Sequence, residues 1–417
     1  MAITVLSDAD YSALFKRTYG EYGDNLYGSG SEDPLESQIT KKFDFNGSEH
    51  RFPVKIGFGG GTGFGTLPEA NSSKNVDVVL TRKKAYARMN LDRETIIASR
   101  GKDGAFKEAT QEETLGKLKS FNRTQACALY NDGSGILGQF SATPTGTAAA
   151  PVLTIINTGN YRFRQGFFEE GDYIQVVDAG GSLLTSKWEI TAVDVSARTV
   201  TLSRISGSVD LTAIGAGTHN VVLQGAYNAS PMGLMGVHNF TSGSLYQVSY
   251  ARRWSSYRKV LSSAQLITVD LFNEAVLQMD QRSGEAPNLG ILSTVQMQKF
   301  LSQLEDKKRY GNTEITSRSN KLANKATISF TGIEYMGPRG SFALVSSRYV
   351  RDDMVFLVNT NGNKMFRKHA EKFGWFDEDR TVLMRMQDQD AYEARYGGYY
   401  ENYFNPLFVG AIEGLSV

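Results

Sequence analysis

The sequence predicts an α+β chain with a small all-β barrel or sandwich set into it. Three observations point there: one long amphipathic stretch over 105–130, a run of short β-like segments without helix signal over 152–224, and capped helices alternating with strands between 268 and 358. Helices on one face of a mostly antiparallel sheet make an α+β domain, and closely spaced short strands make a barrel or sandwich.

The elements follow in order. Residues 1–48 mix Gly, Ser, Asp and Tyr ("GEYGDNLYGSGSEDP") and read as an arm with little core-forming capacity. "FPVKIGF", with strand-like runs at 78–80 and 96–98, predicts a long two-stranded ribbon flanking a glycine-rich stretch. Leu115, Leu118, Phe121, Gln125 and Leu129 recur at three- and four-residue steps. That spacing predicts a helix of about 25 residues, about 37 Å long, with Cys127 near its end as a buried structural thiol. After "NDGSGILG" the runs "YIQVV", "WEITAVD", "TVTLSR" and "HNVVLQG" read as strands, with turn residues such as "DAGG" between them, and form a self-contained unit.

Further on, Thr268 caps a helix whose stripe is Val269, Phe272, Val276 and Met279. Ser293 and Gln296 match a capping box, followed by Met297, Phe300, Leu301 and Leu304 on one face. "TISFTGIEYM", "SFALVSS" and "MVFLVN" return to strands. Gly397 and Gly398 break any helix from Tyr392, and "NPLFVGAIEGL" reads as a closing strand.

Most function classes fall away on composition and spacing. With 45 basic and 44 acidic residues, nothing global draws the chain to nucleic acid or an anionic membrane. "MAITVLSDADYSALF" lacks the basic start of a signal peptide, and no apolar stretch reaches the ~18 residues of a membrane helix. The single cysteine excludes an intrachain disulfide. The stretch "HRFPVKIGFGGGTGFGTLPEA" holds six glycines from Gly57 to Gly65. In every register of a dinucleotide fingerprint the third glycine is replaced, by Thr62, Phe64, Thr66 or Pro68, and the next lysine, Lys74, lies outside the loop. Pliable backbone lying against another chain is the better reading.

No catalytic constellation emerges. His50, His219, His238 and His369 show no metal-ligand spacing, no serine is flanked by glycines at both second neighbours, and Asp377, Glu378 and Asp379 read as a solvated turn. We therefore expect no enzyme activity, no cofactor and no metal. The charges are segregated: residues 81–100 carry six bases (Arg82, Lys83, Lys84, Arg88, Arg93, Arg100) against two acids, and residues 388–417 carry five acids against one base. Such patches suit self-association. The seven aromatics of 392–408, among them Tyr399 and Tyr403, sit in that acidic stretch and so favour burial against protein over nucleic-acid stacking.

This order of elements resembles the major capsid proteins of tailed bacteriophages, the HK97-like coat-protein fold. The residues behind the likeness are the glycine-flanking loop from "FPVKIGFGGGTGFG" through "LDRETIIAS", the long helix ending in "ALYNDGSGILG", "DLFNEAVLQM…APNLGILSTVQMQKFLSQL", and "AYEARYGGYYENYFNPLFVGAIEGL". The resemblance implies an N-terminal arm at 1–48, an extended loop at 49–100, and a spine helix with the start of the peripheral domain at 101–138. It further implies an inserted β domain at 139–226, continued peripheral domain at 227–262, an axial domain at 263–384 and closing peripheral strands at 385–417. The insertion is placed where the asparagine/glycine turn's usual Gly-Leu continuation appears only at "SPMGLMG".

A shell of hexamers and pentamers around double-stranded DNA, held non-specifically, is the implied function, assembled in the host bacterial cytoplasm and residing in the virion. Expected intersubunit contacts are Gly57, Gly59, Gly60, Gly61, Gly63, Gly65, Arg82, Lys83, Lys84, Arg88, Arg93, Tyr399 and Tyr403, with the glycines absorbing angle differences between positions and the bases meeting acidic neighbours. Only about 48 residues precede the extended loop, so a scaffold would be a separate protein or absent; portal and decoration proteins are further expected partners. "DEDRTVLMRMQDQDAY" has no asparagine, which argues against the lysine–asparagine cross-link of some relatives. The alternative is a β-rich decoration or tail component that reads carbohydrate through Tyr161, Phe163, Phe167, Phe168, Tyr173 and Trp188.

Overall fold

Residues 33–57, 74–93, 105–215, 217–307, 333–376, 382 and 384–417 are described by the computed structural model. They form a long helix and three large sheets.

The helix runs Ala105–Leu129, as the spacing predicted. Its carboxy-terminal half is sunk: Phe121, Gln125, Ala126, Cys127, Ala128 and Leu129 are buried. Leu115, expected on the same stripe, is 40% exposed, because the core ends before it. Tyr130 ties the helix end to the start of the described chain. Its hydroxyl donates to Asp33 (2.6 Å), which also accepts from the Ser347 hydroxyl and caps the short helix Pro34–Gln38 through the Leu35 N–H. Burial lifts the Asp33 carboxyl to about 6 despite these donors.

The residues between 136 and 223 form one seven-stranded antiparallel sheet, ordered Ile136–Phe140, His219–Leu223, Tyr173–Val177, Lys187–Asp194, Thr199–Ser206, Pro151–Thr154, Thr145–Gly146. It curls until Ile156 donates its N–H to the Gln139 carbonyl of the first strand (2.8 Å), giving barrel-like closure. Leu153, Ile174, Val176, Trp188, Val200, Leu202 and Val221 fill its interior. This sheet is not self-contained. Its interior joins one hydrophobic cluster with Leu129 and Tyr130 of the helix end and with Tyr349 and Phe356. Arg123 of the helix pairs with Asp172, the Cys127 thiol donates to the Gly166 carbonyl, and a Cβ on Gly166 would stand 2.8 Å from the Tyr349 ring.

A second, six-stranded sheet has buried strands at its centre: Tyr257–Gln265, Val409–Leu415, Met354–Val358, Leu289–Leu292, Gly340–Ser346, Ile333–Gly337. Tyr257–Gln265 and Leu289–Leu292 each have a parallel neighbour, so the sheet is mixed where a mostly antiparallel one was expected. The continuous apolar run "MVFLV" follows from burial on both faces. Met354, Phe356 and Val358 enter the cluster shared with the seven-stranded sheet. Val355 and Leu357 face a second cluster with the helices Val269–Ser283 and Thr294–Lys307. Thr268 caps the first helix through the Leu271 N–H, and Gly284 ends it in a left-handed turn.

Ser293 caps the second helix through the Gln296 N–H, but the Gln296 amide donates to the Asp352 and Ser416 carbonyls, so only half of the capping box forms. Met297 and Phe300 are buried as predicted; Leu301 is 39% exposed, one position off the buried face. The Leu304 side chain lies outside the described residues. Arg351, fully buried, pairs with Asp353 and Glu413 (2.9 and 2.8 Å), and Arg162, in the loop after Pro151–Thr154, reaches the same Asp353 (2.9 Å).

The third sheet is built around the 14-residue strand Ala391–Phe404. Met365–His369, Gly374–Trp375 and Met384–Arg385 pair with it, and Thr40–Lys42 adds parallel to Met365–His369. Lys83–Asp92 pairs antiparallel along it, from Lys83↔Tyr400 to Asp92↔Ala391. Gly397 permits this: a Cβ there would lie 2.1 Å from the Ala85 carbonyl oxygen. Among the described residues no helix is long and apolar enough to cross a membrane.

Candidate functional site

The ribbon pairs Glu49–Gly57 with Lys74–Thr81 in antiparallel register, Glu49↔Thr81 through Gly57↔Lys74. Strand alternation gives it two faces. His50, Phe52, Val54 and Ile56 are half-buried, while Arg51, Pro53 and Lys55 are exposed. The expected run at 78–80 forms the ribbon's second strand, while the run expected at 96–98 lies outside the described residues, as do Gly59, Gly60, Gly61, Gly63 and Gly65. Gly57 is in the ribbon, and a Cβ there would make only ordinary contact with Lys74.

The base of the ribbon is anchored. Phe52 stacks edge-on against Tyr403 (5.0 Å) and lies 5.8 Å from Phe366. Lys368 reaches Asp44 (2.8 Å) and the His50 ring (2.6 Å). The Val79 N–H donates to the Tyr246 carbonyl (3.1 Å). Tyr403 is 2% exposed, so its side chain belongs to this chain's own core rather than to a subunit contact. Tyr399 is half-buried under the Arg82 guanidinium, 4.9 Å from its ring.

The basic cluster is used differently from the expectation. It lies on the strand after the ribbon, whose partner is the acidic carboxy-terminal strand. Arg88 pairs with Glu393 (2.7 Å), which also binds Arg395; Arg93 pairs with Asp390 (3.3 Å); and Lys83 donates to the Asn228 carbonyl (3.2 Å). Segregated charge therefore joins two segments of one chain, because opposite charges on paired strands meet once the register is set. Lys84 is exposed on that strand; Arg100 lies outside the described residues.

Two features here carried no sequence signal. Lys83–Asp92 stops pairing with the long strand at Tyr400, which leaves later backbone groups without a strand partner on that edge. Glu401 accepts the Asn402 N–H (3.0 Å) and the Met232 N–H (2.8 Å). The Tyr246 hydroxyl donates to the Asn402 carbonyl (3.0 Å) and accepts the Phe404 N–H (3.2 Å). Glu401 is buried, and that burial raises its carboxyl to about 7. Tyr246 and Gln247 form the two-residue turn of a hairpin (Ser244↔Ser249, Leu245↔Val248), both left-handed at φ 52° and 64°. Such turns favour Asn and Gly, and a left-handed non-glycine residue costs roughly 1–2 kcal/mol.

The two ends of the seven-stranded sheet come back to one place. Ile136 lies opposite Val222, the Asn228 N–H donates to the Ser134 carbonyl (2.7 Å), and Gly135 lies so close to Ala226 that a Cβ would meet its carbonyl oxygen at 2.1 Å. Gly233 of "SPMGLMG" packs on the helix end: a Cβ there would stand 2.3 Å from the Asn131 carbonyl oxygen and 2.4 Å from that of Ala128. The aromatics that made this sheet a candidate carbohydrate reader serve its core instead. Phe163, Phe167, Phe168 and Trp188 are buried and Tyr161 is half-buried, leaving Tyr173 exposed. Among the described residues no group of three or more His, Cys, Asp or Glu side chains is placed to hold a metal.

The described residues adopt a capsid-protein fold. It is similar to a chain of the cyanophage A-1(L) capsid asymmetric unit, with a TM-score of 0.58 at 11% identity, covering 99% of this chain and 100% of that one. It is also similar to a chain from the capsid of the native GTA particle, with a TM-score of 0.50 at 9% identity and full coverage of both. No family model and no curated protein sequence matches the chain.

Proposed function

We propose that this chain is a major capsid protein of a tailed bacteriophage, many copies of which close into an icosahedral shell around double-stranded DNA. The observation that carries the reading is the end-to-end likeness to the cyanophage capsid chain, which leaves no large part of either chain unmatched. In the finer assignment, HK97-like, the ribbon is the extended loop, Ala105–Leu129 the spine helix, and the seven-stranded sheet an insertion. Because its first strand, Ile136–Phe140, begins ahead of the expected boundary at 139, the insertion starts at Gly135 and runs to 226. The meeting of that sheet's two ends at Gly135 and Ala226, beside the helix end, supports an insertion, since chain entering and leaving one point interrupts the surrounding fold least.

Each subunit lays the ribbon, with its glycine-rich continuation through Gly65, across a neighbour. Arg51 and Lys55 on the ribbon, and Lys84 on the strand that follows it, are exposed basic side chains offered for such a contact. Many modest contacts, repeated by symmetry in hexamers and pentamers, make a strong container. DNA is held without sequence recognition, a scaffold, portal or decoration protein acts as separate chains, and no catalysis is involved. The shell is assembled in the bacterial host and ends in the virion. Electron microscopy of the expressed protein tests this: shells or capsomers are expected, and a species that stays monomeric under every condition overturns it.

A further inference from the structure

We infer that Tyr246 is the positioning residue that locks the base of the ribbon to the long strand Ala391–Phe404, and so sets the direction in which the ribbon leaves the subunit. The inference rests on the proposed role of the ribbon only for its consequence in assembly; the lock itself is a property of the single chain.

Tyr246 bridges the two elements through its side chain on one side and its backbone on the other. The hydroxyl satisfies the Asn402 carbonyl and the Phe404 N–H, standing where a further strand would otherwise pair. Its carbonyl accepts the N–H of Val79, in the ribbon's second strand. Its ring lies 5.6 Å from Tyr403, which packs on Phe52 in the ribbon's first strand. Both ribbon strands are thus referred to one residue. A phenylalanine would keep the ring and lose both edge hydrogen bonds.

The backbone supports the same assignment. Left-handed Tyr246 and Gln247 are in a conformation that Asn-Gly adopts with less strain. Strain of this kind persists where the surrounding structure over-determines it. At position 246 the over-determining group is the hydroxyl, because neither Asn nor Gly reaches the strand edge. Gln247 is exposed, so its strain serves only the turn.

Hydrogen exchange on the unassembled full-length subunit tests the lock. Tyr246→Phe should speed exchange at least about tenfold in peptides covering 401–405 and 74–81, with little change over 354–358. Gln247→Gly, which relieves the turn and keeps the hydroxyl, should leave both regions as protected as in the wild type. In the wild type itself, low urea should raise exchange at 74–81 and 401–405 together, as one opening. Unchanged exchange at 74–81 in Tyr246→Phe overturns the inference, and so does independent opening of the two regions in the wild type, which decides the matter even if the variant does not fold. Shell formation is scored separately by electron microscopy. A wild type that never assembles counts against the proposed function and leaves the lock standing.

Discussion

Replacing Glu401 with glutamine should remove a measurable part of the pH dependence of stability. Glu401 is 4% exposed, and burial, its largest perturbation, raises its carboxyl from 4.5 to about 7 against the opposing pull of the Met232 and Asn402 N–H groups. Between those two values the folded chain holds a proton that the unfolded chain has released. Stability contributed by this site is therefore greatest below about pH 4.5, falls as the pH rises through the window, and is flat above about 7. At about 1.36 kcal/mol per pH unit the full fall is roughly 3 kcal/mol.

Glutamine retains an oxygen for both backbone donors and carries no titrating proton. Urea unfolding of the unassembled subunit at pH 5 and pH 8 provides the assay. Wild type should lose roughly 2–3 kcal/mol more than Glu401→Gln between the two conditions. Other titrating groups, Asp33 among them, are common to both proteins and cancel in the comparison. Equal losses in the two proteins would refute the reasoning.

Four further outcomes follow from the packing. Gly397→Ala places a Cβ 2.1 Å from the Ala85 carbonyl oxygen, so Lys83–Asp92 should detach from the long strand, seen as lost amide protection over 83–92; intact protection would contradict the close approach. Arg351→Ala removes the buried guanidinium between Asp353 and Glu413, which keep Arg162 on one side and His238 and Arg258 on the other, and should cost about 2–3 kcal/mol in urea unfolding. Arg88→Ala removes a pair whose arginine is mostly in solvent and should cost no more than about 1 kcal/mol, so similar losses in the two variants would overturn this ranking. The Cys127 thiol, which burial pushes up to about 11, should resist a thiol reagent at pH 8 in the folded subunit and react fully in denaturant.

Local chemistry made much of the fold legible. Thr268 and Ser293 stop the chain's extended run because their hydroxyls satisfy helix N–H groups three residues on, which needs no distant partner. The ribbon's alternation, the strands of 173–223 and the helix ending at Leu129 were readable for the same reason: the period of apolar residues reports which face is buried. The capsid resemblance, drawn from element order, agrees with the fold likeness to the cyanophage chain.

The candidate site was less legible. The exposed polar face of the ribbon follows from alternation, but Tyr246–Gln247 has neither glycine nor asparagine to announce a two-residue turn, and Glu401 looks like any acid on a solvated face.

The sequence by itself determined the long helix, the two capped helices and the strand runs of 173–223 and 333–358, that no nucleotide loop or metal-ligand spacing is written into it, and that its charges are segregated. The strands Lys83–Asp92 and Met365–His369 were not legible in it. Only the tertiary structure decided who meets whom. Tyr403 became core because Phe52 and Phe366 close over it, and Arg88 found Glu393 some three hundred residues away in its own chain. Secondary structure answers to neighbours within a few residues, whereas burial and strand pairing answer to the free energy of the whole packed chain, and no local pattern encodes that sum.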